Sequence, residues 1–280
     1  MGDIGILVVH GMGTQKADFD DEFKAKLTKE LGASMNRIAW EKVHWAPVVA
    51  GAETDMWKRV SQDGDLDWRR VRQFFMNYFA DALAYQRAGY RRQVDTDPSA
   101  TYERIQDCVR DALVRLRKQL GGDKPVVVVA HSLGAYIMTS YVYDRQHWNR
   151  AKEGDVDDPR GTTLFTRMET LAGLVTHGAN LPLFAFATTK PKTIDFPGVA
   201  LPPPIAARAA WLNFYDPDDV LGWPLKHVYD EPASTIARIV DTPVNVGGLL
   251  TSWNPMAHTA YWTDKDFVQP VAQFLESLLP

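Results

Sequence analysis

Val126-Val127-Val128-Val129-Ala130-His131-Ser132-Leu133-Gly134 is the stretch whose reading decides the fold. Four consecutive valines have the composition of a strand buried on both faces, as in a parallel sheet. The run ends on a serine flanked two positions away by small residues, Ala130 and Gly134. Small neighbours leave room for a turn sharp enough to carry a serine hydroxyl from a strand end onto a helix start. The stretch therefore predicts strand, nucleophile elbow and helix, in that order.

Two further apolar runs, Ile4 to Val9 and Leu171 to Thr176, have the same character, and helical patterns lie between them. The helix expected over Asp18 to Leu31 starts with Asp18, Asp20, Asp21 and Glu22, which suits the positive end of a helix dipole. Asp97-Pro98 reads as an N-cap followed by proline at N1, opening a helix that runs to Leu120 and stops at Gly121-Gly122. Later come a strand over Trp211 to Tyr215, a weaker one over Ile236 to Val240, and an amphipathic helix over Phe267 to Leu279. Lys152 to Thr163, rich in Asp, and Pro202-Pro203-Pro204 read as loops. Such alternation implies right-handed crossovers and a parallel sheet with helices on both faces.

The 280 residues, 45% of them apolar, suffice for one large core, so a single domain over 1–280 is expected. A formal charge of −4 and the lack of a Lys/Arg block argue against a nucleic-acid surface. The single cysteine, Cys108, has no partner for an internal disulfide and falls in a helical pattern as a small half-buried residue. Ile4 to Val9 lacks the basic flank of a signal peptide, and the apolar stretch Leu171 to Thr188 is interrupted by His177, Asn180 and Pro182. These features point to a cytoplasmic protein without a transmembrane segment.

A serine hydroxyl attacks only when a base takes its proton, and that base needs an acid to fix its tautomer. With an elbow of this kind the chain order is Ser, then Asp or Glu after a later strand, then His near the C-terminus. His258, in a loop before the last helix, stands where the order requires a base, whereas His227 follows the acids too closely. The acid comes from Asp216-Pro217-Asp218-Asp219: Asp219 is preferred and Asp216 is the alternative, with the remaining carboxylates capping the turn. His10-Gly11-Met12-Gly13 is a glycine-rich strand end suited to an oxyanion hole, with one N–H from Met12 and the other from Leu133. His10, Gly11, Gly13, His131 and Gly134 then support the two turns. No metal and no cofactor is implied, and the glycine spacing fits neither dinucleotide nor P-loop patterns.

Together these motifs resemble α/β-hydrolases of the lipase and serine esterase type: V-V-H-G-M-G-T-Q at 8–15, A-H-S-L-G at 130–134, T-H-G-A-N-L-P-L-F at 176–184 and A-H-T-A-Y-W at 257–262. The N-F-Y-D-P-D-D-V segment from Asn213 is similar to the acid loop of DDHD-type phospholipases, a likeness that favours Asp219. The resemblance implies an α/β-hydrolase fold, here lacking the first antiparallel strands because the chain starts on the strand leading to His10. It also implies a Ser-His-Asp triad acting through an acyl-enzyme on a small-molecule ester or lipid-like acyl substrate. Thioester or amide hydrolysis on the same triad, or a binding protein retaining the fold, are the alternatives; oligomeric state is left open.

Between the first helices lies an aromatic-rich segment, 46–96, preceded by Trp40 and Trp45 and carrying Trp57, Trp68, Phe74, Phe75, Tyr78, Phe79 and Tyr85. Its helical spacing fits either a cap over an acyl pocket or aromatics packed on the sheet.

Overall fold

The three apolar runs become strands buried at every position. In the computed structural model, which describes residues 2–13, 15–62, 66–85, 98–151, 160–185, 193–246 and 257–280, the chain opens with β1 (Ile4–Val9) and α1 (Asp21–Leu31). There follow β2 (Ile38–Val43), α2 (Ala50–Gln62), α3 (Arg69–Ala84), α4 (Pro98–Leu120), β3 (Val126–His131) and α5 (Leu133–Ala151). The second half holds β4 (Leu171–His177), α6 (Leu181–Ala185), α7 (Pro203–Arg208), β5 (Ala210–Tyr215), α8 (Ala233–Ile236), β6 (Ile239–Pro243) and α9 (Lys265–Leu278).

The strands form one sheet in the order β2-β1-β3-β4-β5-β6, and every pairing is parallel. The chain thus runs outward from β1 to one edge, returns past it to β3, and continues to the other edge. The direction of winding reverses between β1 and β3, and ligands of open α/β sheets bind at the carboxyl ends of strands at such a point. The Gly-rich turn and the serine turn both leave the sheet there.

Register shows how the faces are covered. Ile6, Val127 and Gly173 are aligned across the central strands, and a methyl built on Gly173 would lie 2.5 Å from Phe274 of α9. Gly5, one residue earlier on β1, faces the other way, against Leu116 and Leu120 of α4. Helices α1 and α9 pack together on one face, and α4 and α5 on the other.

Two expectations are corrected, and one strand carries no sequence signal. The edge strand β2 gives no apolar run in the sequence, because Trp40, Glu41 and Lys42 are only half-buried and interrupt it. The weak strand over Ile236 to Val240 is displaced: Ala233–Ile236 is a short helix and the strand is Ile239–Pro243. The first helix starts at Asp21 rather than Asp18, and its N-cap Asp20 makes no side-chain cap bond, its buried carboxylate accepting instead from Trp40 Nε1 at 2.7 Å and Lys42 Nζ at 2.6 Å. Asp97 lies outside the described residues, but the helix it was expected to cap does begin at Pro98.

The aromatic segment divides. Trp45 and Tyr85 at its ends are fully buried in the core, Trp57 is half-buried, and Trp68 is 78% exposed. The side chains of Phe74, Phe75, Tyr78 and Phe79 lie outside the described ones. Cys108 is half-buried on α4, and burial pushes its thiol pKa up.

Candidate active site

Two close approaches force the serine turn into shape. A methyl on Gly134 would lie 2.5 Å from the His10 carbonyl oxygen, and one on Gly11 would lie 2.7 Å from His131 Nδ1. Only glycine at these positions lets the start of α5 sit against the end of β1. Ser132 itself takes φ 52°, a left-handed conformation that a non-glycine residue adopts only when its surroundings impose it. Its N–H donates to the His177 carbonyl at 3.0 Å, tying the turn to β4.

The hydroxyl of Ser132 lies 2.7 Å from His258 Nε2, and His258 Nδ1 lies 2.8 Å from Asp219 Oδ2. All three side chains are buried. A carboxylate only accepts, so Nδ1 carries the hydrogen and the Nε2 lone pair faces the serine O–H. Asp219 Oδ1 accepts the Leu221 N–H at 3.0 Å, and Oδ2 also accepts the Tyr261 hydroxyl at 2.8 Å. Burial pushes the Asp219 carboxyl up, but the hydrogen bond and charge of His258, with the Leu221 and Tyr261 donors, outweigh it and hold the pKa below the ordinary value.

Asp216 has a different position. Its Oδ1 accepts the Asp218 N–H at 2.8 Å and its Oδ2 the Val246 N–H at 2.7 Å, so it closes the turn after β5 and does not reach His258. Asn213 braces the same loop, accepting from Thr176 Oγ1 at 2.8 Å and donating to the Trp223 carbonyl at 2.9 Å and Asp241 Oδ1 at 2.8 Å.

The other motif histidines hold backbone. His131 Nε2 donates to the His258 carbonyl at 2.6 Å, so the residue beside the serine fixes the strand of chain bearing the imidazole. Burial, joined by the nearby His258, lowers its pKa to about 3, and the ring is neutral. His10 donates from Nδ1 to the Gly11 carbonyl at 2.6 Å, while its Nε2 accepts the N–H groups of Trp45 at 3.1 Å and Ala46 at 3.3 Å. Burial lowers it too to about 3. His177 stacks on His131 with ring centroids 4.8 Å apart, and burial drives its pKa well below the ordinary value.

Met12 follows Gly11 in the turn after β1, and Leu133 is the first residue of α5, where an N–H has no intrahelical acceptor. Gly13 N–H donates to Asp81 Oδ2 of α3 at 2.8 Å. Sequence reasoning assigns no role to Trp45, Asp81 or Tyr261. Tyr261 was legible in principle, since a 3₁₀ spacing of three residues puts it on the side of His258. Asp81 carried no signal, being one acid within an amphipathic helix.

No helix among the described residues is long and apolar enough to cross a membrane, and no described group of three or more His, Cys, Asp or Glu side chains is arranged to hold a metal ion. No curated protein matches the chain. The alpha/beta hydrolase family model matches residues 6–279, from within β1 to the end of α9, and the chain belongs to that family.

Proposed function

We propose that the protein is a serine hydrolase of carboxylic esters, with Ser132 as nucleophile, His258 as general base and acid, and Asp219 as the acid that orients it. The observation carrying this reading is the continuous chain from Ser132 Oγ through the His258 ring to Asp219, at 2.7 and 2.8 Å. In the first half-reaction His258 Nε2 takes the serine proton as Oγ adds to the ester carbonyl carbon. The oxygen that becomes negative is held by the Met12 and Leu133 N–H groups, and Asp219 stabilises the imidazolium. Collapse breaks the bond to the alcohol oxygen, which leaves with the proton from Nε2, and the acyl group stays on Ser132. A water then gives its proton to His258 and adds to the acyl carbon; the acid leaves and the serine recovers its proton. Within a single 1–280 domain, the described helices α2 and α3 of segment 46–96 serve as a cap beside this site, a reading supported by Asp81 of α3, which accepts the Gly13 N–H at 2.8 Å.

Ser132→Ala is expected to lower kcat on p-nitrophenyl esters by at least about 10⁴-fold with the fold retained. Full activity in that variant would refute the reading. A panel of matched oxygen ester, thioester and amide, with acyl chains of rising length, reads out the leaving group and the pocket depth.

A further inference from the structure

Two carboxyl groups are buried together beside the turn that follows β1. Asp81 on α3 is 1% exposed and Glu53 on α2 is 7% exposed. Asp81 Oδ1 and Glu53 Oε1 have no N–H or O–H donor among the described residues. Glu53 acts on Asp81 through its hydrogen-bonding and charge, and it disfavours the charged form of Asp81, as a second carboxyl in one buried site does. The remaining oxygen of Asp81, Oδ2, accepts the Gly13 N–H at 2.8 Å.

That amide belongs to one of the two peptide planes flanking Met12. In the plane joining Gly11 to Met12, the Gly11 carbonyl is held by His10 Nδ1, which fixes the direction of the Met12 N–H on its opposite side. In the plane joining Met12 to Gly13, the carbonyl accepts Gln15 Nε2 at 3.3 Å and the N–H is held by Asp81. Gly13 sits at φ 85°, and a glycine there crosses between backbone regions freely unless both ends of its peptide are tied. The helix pair α2–α3 is therefore wired to the turn expected to polarise the substrate.

The geometry points to Asp81 as a positioning residue of the oxyanion turn: its buried carboxyl clamps the Gly13 amide and joins the turn to helix α3. This assignment rests on the ester-hydrolase reading for its effect on rate. Burial, then the hydrogen bond and charge of Glu53, raise the Asp81 pKa to about 8, while the Gly13 N–H pulls it down. Among the described titratable groups of α2, α3, α4 and the turn, Glu53 is the one that acts on Asp81. Above that pH the Asp81 carboxyl loses its proton in a buried site beside Glu53.

The test compares wild type, Asp81→Ala and Asp81→Asn. Alanine removes the acceptor; asparagine keeps an acceptor for Gly13 and does not titrate. Asp81→Ala is expected to lose about 100-fold in kcat with little change in KM, as for a small misplacement of a catalytic group. Asp81→Asn is expected to recover most of that loss and to abolish the alkaline limb that the wild type shows near pH 8. A role in stability alone would leave that limb in place, and an unchanged limb in Asp81→Asn or an unchanged kcat in Asp81→Ala overturns the assignment. Hydrogen exchange of the Gly13 amide, read without substrate, separates this from the hydrolase reading: Asp81→Ala is expected to exchange at least about tenfold faster, as loss of a partly buried hydrogen bond to a carboxyl group implies. Faster exchange in a protein whose Ser132 is inert to a fluorophosphonate leaves the clamp and removes the hydrolase; labelled Ser132 with unchanged exchange removes the clamp alone.

Discussion

Tyr261 donates to the same Asp219 oxygen that receives the His258 Nδ1–H, and its own oxygen accepts the Asp216 N–H at 2.9 Å. One phenol thus joins the turn-closing Asp216 to the acid of the proposed triad. Tyr261→Phe removes a donor from the carboxylate, which then holds the imidazolium proton more strongly. The acid limb of the kcat/KM profile is expected to move to higher pH, with kcat reduced about tenfold, the scale of one hydrogen bond to a charged group. A pH–rate profile with an unmoved acid limb would show that the hydroxyl serves only the backbone. At this scale chain order alone singles out Ser132 and His258, which the structure brings to 2.7 Å of each other. The sequence was not decisive between Asp216 and Asp219, because both sit in one loop and only the side-chain directions, one toward Val246 and one toward His258, tell them apart.

Among the elements, the contact between β1 and α5 is the one on which the site depends. Gly134→Ala would push a methyl against the His10 carbonyl, which is backbone and has little room to yield. Overpacking of this kind is expected to cost about 1–3 kcal/mol and to displace Ser132 from the His10–Gly13 turn. Chemical denaturation alongside ester turnover checks it: activity should fall by more than stability alone explains. On the opposite face, Leu275 of α9 is fully buried, and Leu275→Ala is expected to destabilise by about 2–5 kcal/mol while the folded fraction keeps its turnover per labelled serine. Denaturant midpoints combined with active-site titration measure both quantities. The buried strands β1, β3 and β4 were legible because both their faces are apolar. The edge strand β2 was not, since Trp40, Glu41 and Lys42 are only half-buried and break its apolar run.

For the whole molecule, buried ionisable groups set the pH dependence of stability. His10 and His131 titrate at about 3 in the folded protein against an ordinary value of 6.5, and His177 is also held well below it. Below pH 6.5 the unfolded chain binds protons these rings refuse, so stability falls as pH drops from about 6.5 toward 3. Asp81 has the opposite sign: raised from 3.8 to about 8, it keeps a proton that the unfolded chain releases, so stability falls as pH rises between those values. From about pH 4 to 6.5 three histidines oppose one carboxyl and stability rises with pH; of these four groups only Asp81 acts between 6.5 and about 8, and stability declines there. These groups place the maximum of Tm near pH 6.5, and a Tm that climbs steadily to pH 8 would contradict the balance. None of this was visible in composition, because the burial of a histidine or an aspartate depends on what the fold stacks around it.

The central claim, that Ser132 is a nucleophile activated by His258, is tested most directly by intact-protein mass spectrometry after treatment with a fluorophosphonate at neutral pH. The account predicts one adduct per chain on Ser132, absent in Ser132→Ala and slowed in His258→Ala. A wild-type protein that remains unmodified, or an adduct that survives Ser132→Ala, would contradict it.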